Sequence, residues 1–380
     1  MKGKMMIYLD NAATTKPDEE CLKLAEKYLY GDFFNPSALY TGGYNLQREI
    51  KSARDNILSL IADKENFELI FTSCGTEADN TAVFGAGRRG NVVTTSGEHS
   101  AIYSAVNELK QRGIEVRFAN LNADGSVNVE HLLSLMDEKT SLVSVIHVSN
   151  ETGAINDIVS ISKAVKAKNK FTLFHSDGVQ AFGKIPFKLT KDIDLYSISA
   201  HKIGGIKGCG ALIKRKSLII KPLIYGGGQE KGLRSGTENV FGIKDFEFAA
   251  VKKYSKIKED YKSAKVLHRL LWERLDKTLF QRISGEDCSP YILCIGADGL
   301  RGETILHEAD DKGLVIGTGS ACSSNEKNRY SRTILACGVC GSLADGILRL
   351  SLSSETTKDE IVQAAKILNE VVANRKKIMA

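Results

Sequence analysis

The feature that most constrains this chain is an alternation of two textures. Short β-branched runs, "FELIFT" (67–72), "NVVTTS" (91–96), "IEVRFA" (114–119), "SLVSVIHV" (141–148), "FTLFHS" (171–176) and "IDLYSIS" (193–199), read as buried strands. Most are followed by a stretch with helical period, such as "TEADNTAVFGAG" or "EHSAIYSAVNELKQRG". Strands separated by helices imply an α/β fold, a largely parallel sheet covered by helices. From about residue 256 the texture changes to long charged helical periods, "YSKIKEDYKSAKVLHRLLWERL" and a final "KDEIVQAAKILNEVVANRKK", which suggests a second, smaller domain.

In an open α/β sheet the ligand lies beyond the carboxyl ends of the strands. Here those ends carry polar residues: Gly75 and Thr76 open the helix after the first run, His99 follows the second and Asn150 the fourth. Asp177 and Gln180 follow the fifth, and Ser199, His201 and Lys202 the sixth. Any one of these is most often a cap or a turn residue, but together they would converge on one edge. Backbone N–H groups and a hydroxyl at a helix start suit a phosphate. Asp177 suits a protonated pyridine nitrogen and Lys202 a Schiff base with an aldehyde, so the set fits pyridoxal phosphate. A nucleotide is the competing ligand, but neither "GGIKGCG" nor "GGGQEKG" ends in the Gly-Lys-Ser/Thr of a phosphate loop.

One cysteine stands out. In "GTGSACSSNEKN" (317–328), Cys322 sits among glycines, serines and charged residues, with nothing apolar to bury it. An unpaired cysteine usually packs as a small hydrophobe; Gly317 and Gly319 predict instead a flexible segment and a reactive thiol. The eight cysteines show no framework spacing and the chain opens without a signal-like apolar run, so reduced thiols and a cytoplasmic protein are expected. A formal charge of +6 is modest for 380 residues, and the tightest basic clusters, "KRK" (214–216) and "RKK" (375–377), lack interleaved aromatics and read as solvated faces. Neither nucleic acid nor a membrane is an expected partner.

The blocks "IYLDNAATT", "FTSCGTEADN", "HVSNETGAI", "HSDGVQAFGK", "SAHK", "YGGGQEKGLRSGTEN", "GTGSACSS" and "LRLSLS" resemble, in order and spacing, the motifs of the cysteine desulfurases, class V aminotransferase-like enzymes, in the branch with the longer cysteine loop. The resemblance implies a fold-type I pyridoxal phosphate-dependent transferase, with a large cofactor-binding domain over 15–255 and a small α+β domain over 1–14 and 256–380. It implies conversion of L-cysteine to L-alanine, with sulfur passing to an enzyme cysteine as a persulfide and on to an acceptor, an iron–sulfur scaffold or a tRNA-thiolation enzyme. By the same resemblance Lys202 bonds the cofactor aldehyde, Asp177 partners the ring nitrogen, and Gln180 touches the ring hydroxyl oxygen. His99 stacks on the ring and moves protons, while Asn150 lies beside cofactor and substrate. Thr76, Ser199 and His201, with Gly75, hold the phosphate together with Thr237 of a neighbouring subunit, which makes the enzyme a homodimer. Arg349 grips the substrate carboxylate and Cys322 is the nucleophile; no metal is implied.

The chain departs from the family pattern at Ile206, where proline is usual after the lysine motif, and at Thr41, where histidine is frequent. It also ends soon after its last helical period, without the longer tail some relatives use to dock a scaffold protein. A selenocysteine lyase or another class V enzyme shares most of the motifs, though an aminotransferase has no need of Cys322, and a non-enzymatic sulfur carrier has no need of Lys202. The pair Cys337 and Cys340 in "ACGVCG" reads first as a turn marked by Gly338 and Gly341, and second as a route for sulfur leaving Cys322.

Overall fold

The computed structural model describes residues 6–87, 89–318 and 330–379. The β-branched runs assemble into a seven-stranded sheet, in the spatial order Phe67–Thr72, Gly210–Arg215, Leu195–Ser199, Leu173–Asp177, Thr140–Ser144, Asn91–Thr95 and Glu115–Ala119. The last five of these pair in parallel, each reached by a crossover connection, through a helix in every case but the one from Leu173–Asp177 to Leu195–Ser199. Asn91–Thr95 and Leu195–Ser199 are buried at every position, the pattern of strands covered on both faces.

Gly210–Arg215 has no counterpart in the sequence reading. It inserts between Phe67–Thr72 and Leu195–Ser199, antiparallel to both. Its ends disguise it, since a glycine loop precedes it and the "KRK" cluster closes it. That cluster is not the solvated face expected: Lys214 is buried with its Nζ 2.6 Å from Glu68 Oε1, Arg215 reaches Asp194, and Lys216 alone of the three is exposed.

A second sheet has five strands in the order Ile7–Leu9, Leu314–Thr318, Ile347–Ser351, Ile292–Gly296 and Gln281–Arg282. Ile7–Leu9 runs parallel to Leu314–Thr318, so residues from both ends of the chain share it. The helices Ile257–Arg274, Gly302–Asp311 and Lys358–Met379 close over it through Leu271, Ile305, Ile361 and Leu368, all fully buried. The charged periods after residue 256 thus supply apolar stripes for this core.

Two close approaches fix where the strand ends point. Gly178 follows Asp177, and a Cβ there would lie 1.9 Å from the Tyr196 ring, so the backbone turns flat against a tyrosine whose hydroxyl meets His147 Nδ1 at 2.9 Å. Lower in the sheet, the fully buried Asp194 joins three partners: Lys166 Nζ at 2.5 Å, Arg215 Nη2 at 2.7 Å and the Phe174 N–H at 2.7 Å. Asp194→Asn leaves both cations without their carboxylate and should lower unfolding stability by on the order of 3 kcal/mol, because a half-removed buried pair leaves uncompensated charge. Urea denaturation measures this, and a loss below roughly 1 kcal/mol, the worth of an exposed pair, contradicts the assignment.

Candidate active site

Beyond the carboxyl ends of the parallel strands lies a cavity of about 320 Å³, within the range of small-ligand pockets. Gly75, Thr76, His99, Asn150, Asp177, Gln180, Ser199, His201, Lys202 and Arg349 all line it, together with Ala12, Ala13, Cys74 and Asp79. Segments far apart in sequence are brought together here, and each has a local reason to be where it is.

The helix Gly75–Ala86 starts at the cavity wall, and its first N–H groups have no intrahelical acceptor. Glu77 steadies this start by accepting from the Ser73 N–H at 2.8 Å and from Arg234 Nε at 2.9 Å. A Cβ on Gly75 would lie 2.7 Å from Val179 Cγ2, so only glycine lets the backbone pass here. Beside it the Ser199 hydroxyl is buried without a hydrogen-bond partner among the described residues. A buried hydroxyl next to free helix N–H groups needs an acceptor, and a phosphate supplies one.

The acids line the same cavity. Asp177 closes its strand and accepts from the Val179 N–H at 2.9 Å. Asp79, His99 and Asp177 each present one polar atom within 4.8 Å of the others. Burial pushes Asp177 up to about 6, and burial together with repulsion from Asp177 pushes Asp79 well above the usual carboxylate range. Two buried carboxyls this close call for a positive group between them, and a protonated ring nitrogen is one. A cation is another, but His99 is not poised as a ligand. Its Nδ1 accepts from the Ala101 N–H at 3.2 Å, which places the proton on Nε2. Burial, then the positive charges of Lys202, Arg332 and Arg349, lower its pKa to about 4.

Lys202 ends a short 3₁₀ turn, Ala200–Lys202, and its ammonium donates to the carbonyls of Ala12 at 2.6 Å and Ala13 at 2.7 Å. The same N-terminal segment meets the next residue back, His201, whose Nδ1 lies 3.1 Å from Thr14 Oγ1. Arg349 comes from the second sheet; its Nη1 donates to Asn150 O at 3.0 Å and its Nη2 to Asp10 Oδ1 at 2.8 Å. Asp10, Ala12 and Ala13 carry no role in the sequence reading, although "IYLDNAATT" marks the segment.

Cys322 lies outside the described residues, but both flanks of 319–329 are anchored at this cavity. Gly317 belongs to the strand Leu314–Thr318, and a Cβ on it would lie 2.8 Å from Asp10 Oδ1 and 2.9 Å from Arg349 Nη2. Its glycine makes room for the ion pair, which corrects the expectation of flexibility there. On the other side Ser331 donates to Glu151, while Arg332 donates to the carbonyls of Ser96 and Glu98 and stacks 3.5 Å over the Tyr103 ring. Thr237 does not line the cavity; it is exposed and borders a separate hollow with Phe33, Phe34 and Phe241. The pair Cys337 and Cys340 brackets a turn in which Gly338 and Gly341 take positive φ, and burial pushes the Cys337 thiol up to about 12, which leaves it a poor nucleophile.

A phosphate seat, an acid pair for a ring nitrogen, a lysine and an arginine on one cavity fit a phosphorylated pyridine aldehyde and an amino acid. Residues 7–363 match the aminotransferase class-V family. A cysteine desulfurase of Trichormus azollae is 35% identical over 97% of this chain and 93% of its own, and a cysteine desulfurase IscS of Methanosarcina thermophila is 33% identical over 96% and 92%. Among solved structures, a NifS-like protein superposes with a TM-score of 0.90 at 32% identity, covering 97% of this chain and all of that one, and a NifS-like protein from Rickettsia africae with 0.88 at 30% over 96% and 99%. The chain therefore belongs to the aminotransferase class-V family, in its cysteine desulfurase branch, whose members depend on pyridoxal phosphate.

The His99 tautomer is directly measurable. Because its pKa is lowered to about 4, ¹⁵N NMR should find the ring uncharged, with Nδ1 bare, down to about pH 5, well below the 6.5 of a free imidazole. A titration near the free value would contradict the enclosure and charge described.

Proposed function

We propose that Lys202, His99, Arg349 and Cys322 divide between them the cysteine desulfurase reaction, in which L-cysteine gives up its sulfur and leaves as L-alanine. The observation that carries this division is the single cavity where Lys202, Asp177, His99, Ser199 and Arg349 converge. The residues present fit pyridoxal phosphate: helix N–H groups, Thr76, Ser199 and His201 would hold its phosphate, Asp177 its ring nitrogen and Lys202 its aldehyde carbon. When bound, it supplies an electrophilic carbon that bonds amines and a ring that withdraws electrons from the substrate Cα.

The protein groups do the rest. Arg349 takes the substrate carboxylate, a planar anion suited to guanidinium, with Asp10 already steadying one of its nitrogens. The Lys202 amine would accept the substrate's Cα proton. His99 stays neutral and offers its Nε2–H toward the substrate side. Cys322, as thiolate, attacks the substrate sulfur, so an S–S bond forms as the substrate's C–S bond breaks, and the carbon left behind takes up protons to become alanine. The anchoring of both flanks of its segment beside Arg349 and His99 supports this role. Sulfur then passes to an acceptor protein, an iron–sulfur scaffold or a tRNA-thiolation enzyme.

The same reading makes the enzyme a homodimer with Thr237 completing the partner's phosphate site. Its support is the exposed apolar surface beside Thr237, where Phe33 is 68% and Leu29 46% exposed. It divides the chain into a large domain over 15–255 and a small one over 1–14 and 256–380, in keeping with the two sheets. It expects a cytoplasmic protein, in keeping with the described cysteines all being free.

Cys322→Ala separates the two halves of the chemistry. Cofactor binding and the spectral change on adding L-cysteine should persist, because Lys202 and Arg349 are intact, while alanine and sulfide formation should fall at least about a hundredfold, as for loss of a nucleophile. Turnover near the parental rate would remove Cys322 from the mechanism.

A further inference from the structure

Lys184 closes the block "HSDGVQAFGK" and is buried, but neither the sequence reading nor the mechanism gives it a role. It lies four residues after Gln180 on a helical turn in which the N–H groups of Phe182 and Ile185 bond to Gly178 O at 2.8 Å and Ala181 O at 2.9 Å. That turn puts both side chains on one face. Lys184 is 6% exposed, and its Nζ donates to Gln180 Oε1 at 2.9 Å. The other end of the same carboxamide, Gln180 Nε2, donates to Ala12 O at 2.8 Å.

A glutamine amide can sit either way round, and its neighbours decide. Here both decide alike. Ala12 O can only accept, so it takes an Nε2 hydrogen; an ammonium can only donate, so it takes Oε1. The second Nε2 hydrogen is then the donor left to a side chain that lines the cofactor cavity.

On the reading of the site given above, we infer that Lys184 is a positioning residue for the cofactor: it fixes the Gln180 carboxamide donor-first, so that the ring hydroxyl oxygen meets an N–H and not a carbonyl oxygen. A donor there favours the ionised form of that hydroxyl, whereas a reversed amide would oppose it. Burial, and then the positive charges of Lys202, Lys253 and Arg349, lower the Lys184 pKa to about 7. Holding a buried amine among cations is costly, and the Gln180 contact is what it secures; the ammonium can only donate to Oε1, and Ala12 O holds the amide the same way round when the amine is neutral.

The test uses the cofactor-loaded full chain and reads the balance between the absorption bands of the ionised and neutral ring hydroxyl at one fixed pH, with the cofactor dissociation constant alongside. Lys184→Met should shift the balance toward the neutral form and weaken cofactor binding about tenfold, the scale of one lost hydrogen bond to a charged group. Lys184→Gln, which keeps a donor, should restore part of the parental balance. In a Gln180→Met background, Lys184→Met should shift the bands no further, since its effect passes through the amide. Neutron diffraction on the loaded parental protein gives a readout that no folding defect can obscure, and it should show Oε1 toward Lys184 and both Nε2 deuterons engaged. Unchanged bands in Lys184→Met, an equal shift with and without Gln180, or Oε1 turned toward the ring would each overturn the role of Lys184 alone. A parental chain that binds no cofactor would overturn the reading beneath it as well.

Discussion

Two backbone carbonyls, Ala12 O and Ala13 O, hold the site together. They lie in a segment that continues a strand of the second sheet, and they receive Lys202 and Gln180, which stand at the strand ends of the first. Around them the seam extends outward: Asn11 Nδ2 donates to Ser351 O at 2.9 Å, Thr15 Oγ1 to His201 O at 2.9 Å, and Asp10 pairs with Arg349. Carbonyls are good partners for a lysine that must later react, because they orient an amine without neutralising it as a carboxylate would. Without this seam, Arg349 and the strand leading toward Cys322 would belong to a different part of the molecule from Lys202.

The charges of the cavity are sorted by what must bind there. Asp79 and Asp177 sit together in its wall, both raised by burial and Asp79 also by Asp177, while Lys202 and Arg349 line the same cavity. Neither set is comfortable alone in a low-dielectric wall. A cofactor with a cationic ring nitrogen and an anionic phosphate, followed by an amino acid carrying a carboxylate, relieves both. Glu98, beside His99, is likewise pushed up by burial to about 8, so the imidazole's nearest neighbour in sequence is largely uncharged at neutral pH.

Much of this was legible in the sequence because parallel strands buried on both faces must be written as β-branched runs, and the residues after them are forced to the ligand edge. Gly75, His99, Asp177, Ser199 and Lys202 follow from that rule alone. Gly210–Arg215 escaped it because an antiparallel insertion obeys no alternation and its buried Lys214 looks like a surface charge. Asp10, Ala12 and Lys184 escaped because they act from turns, by donor and acceptor geometry that no periodicity records. Gly317 was read as making its segment flexible when its lack of a side chain leaves space for an ion pair, a distinction that only the packed neighbours reveal. Thr237 lies outside the cavity and has a role only in the dimer proposed above.

The most direct measurement is borohydride reduction of the purified protein with its bound cofactor, followed by peptide mass spectrometry. The account requires a single pyridoxyl label on Lys202. A label on the exposed Lys207, five residues on, or on Lys184, whose lowered pKa makes it the nearest rival amine, would contradict it, as would a protein that takes up no label after incubation with pyridoxal phosphate.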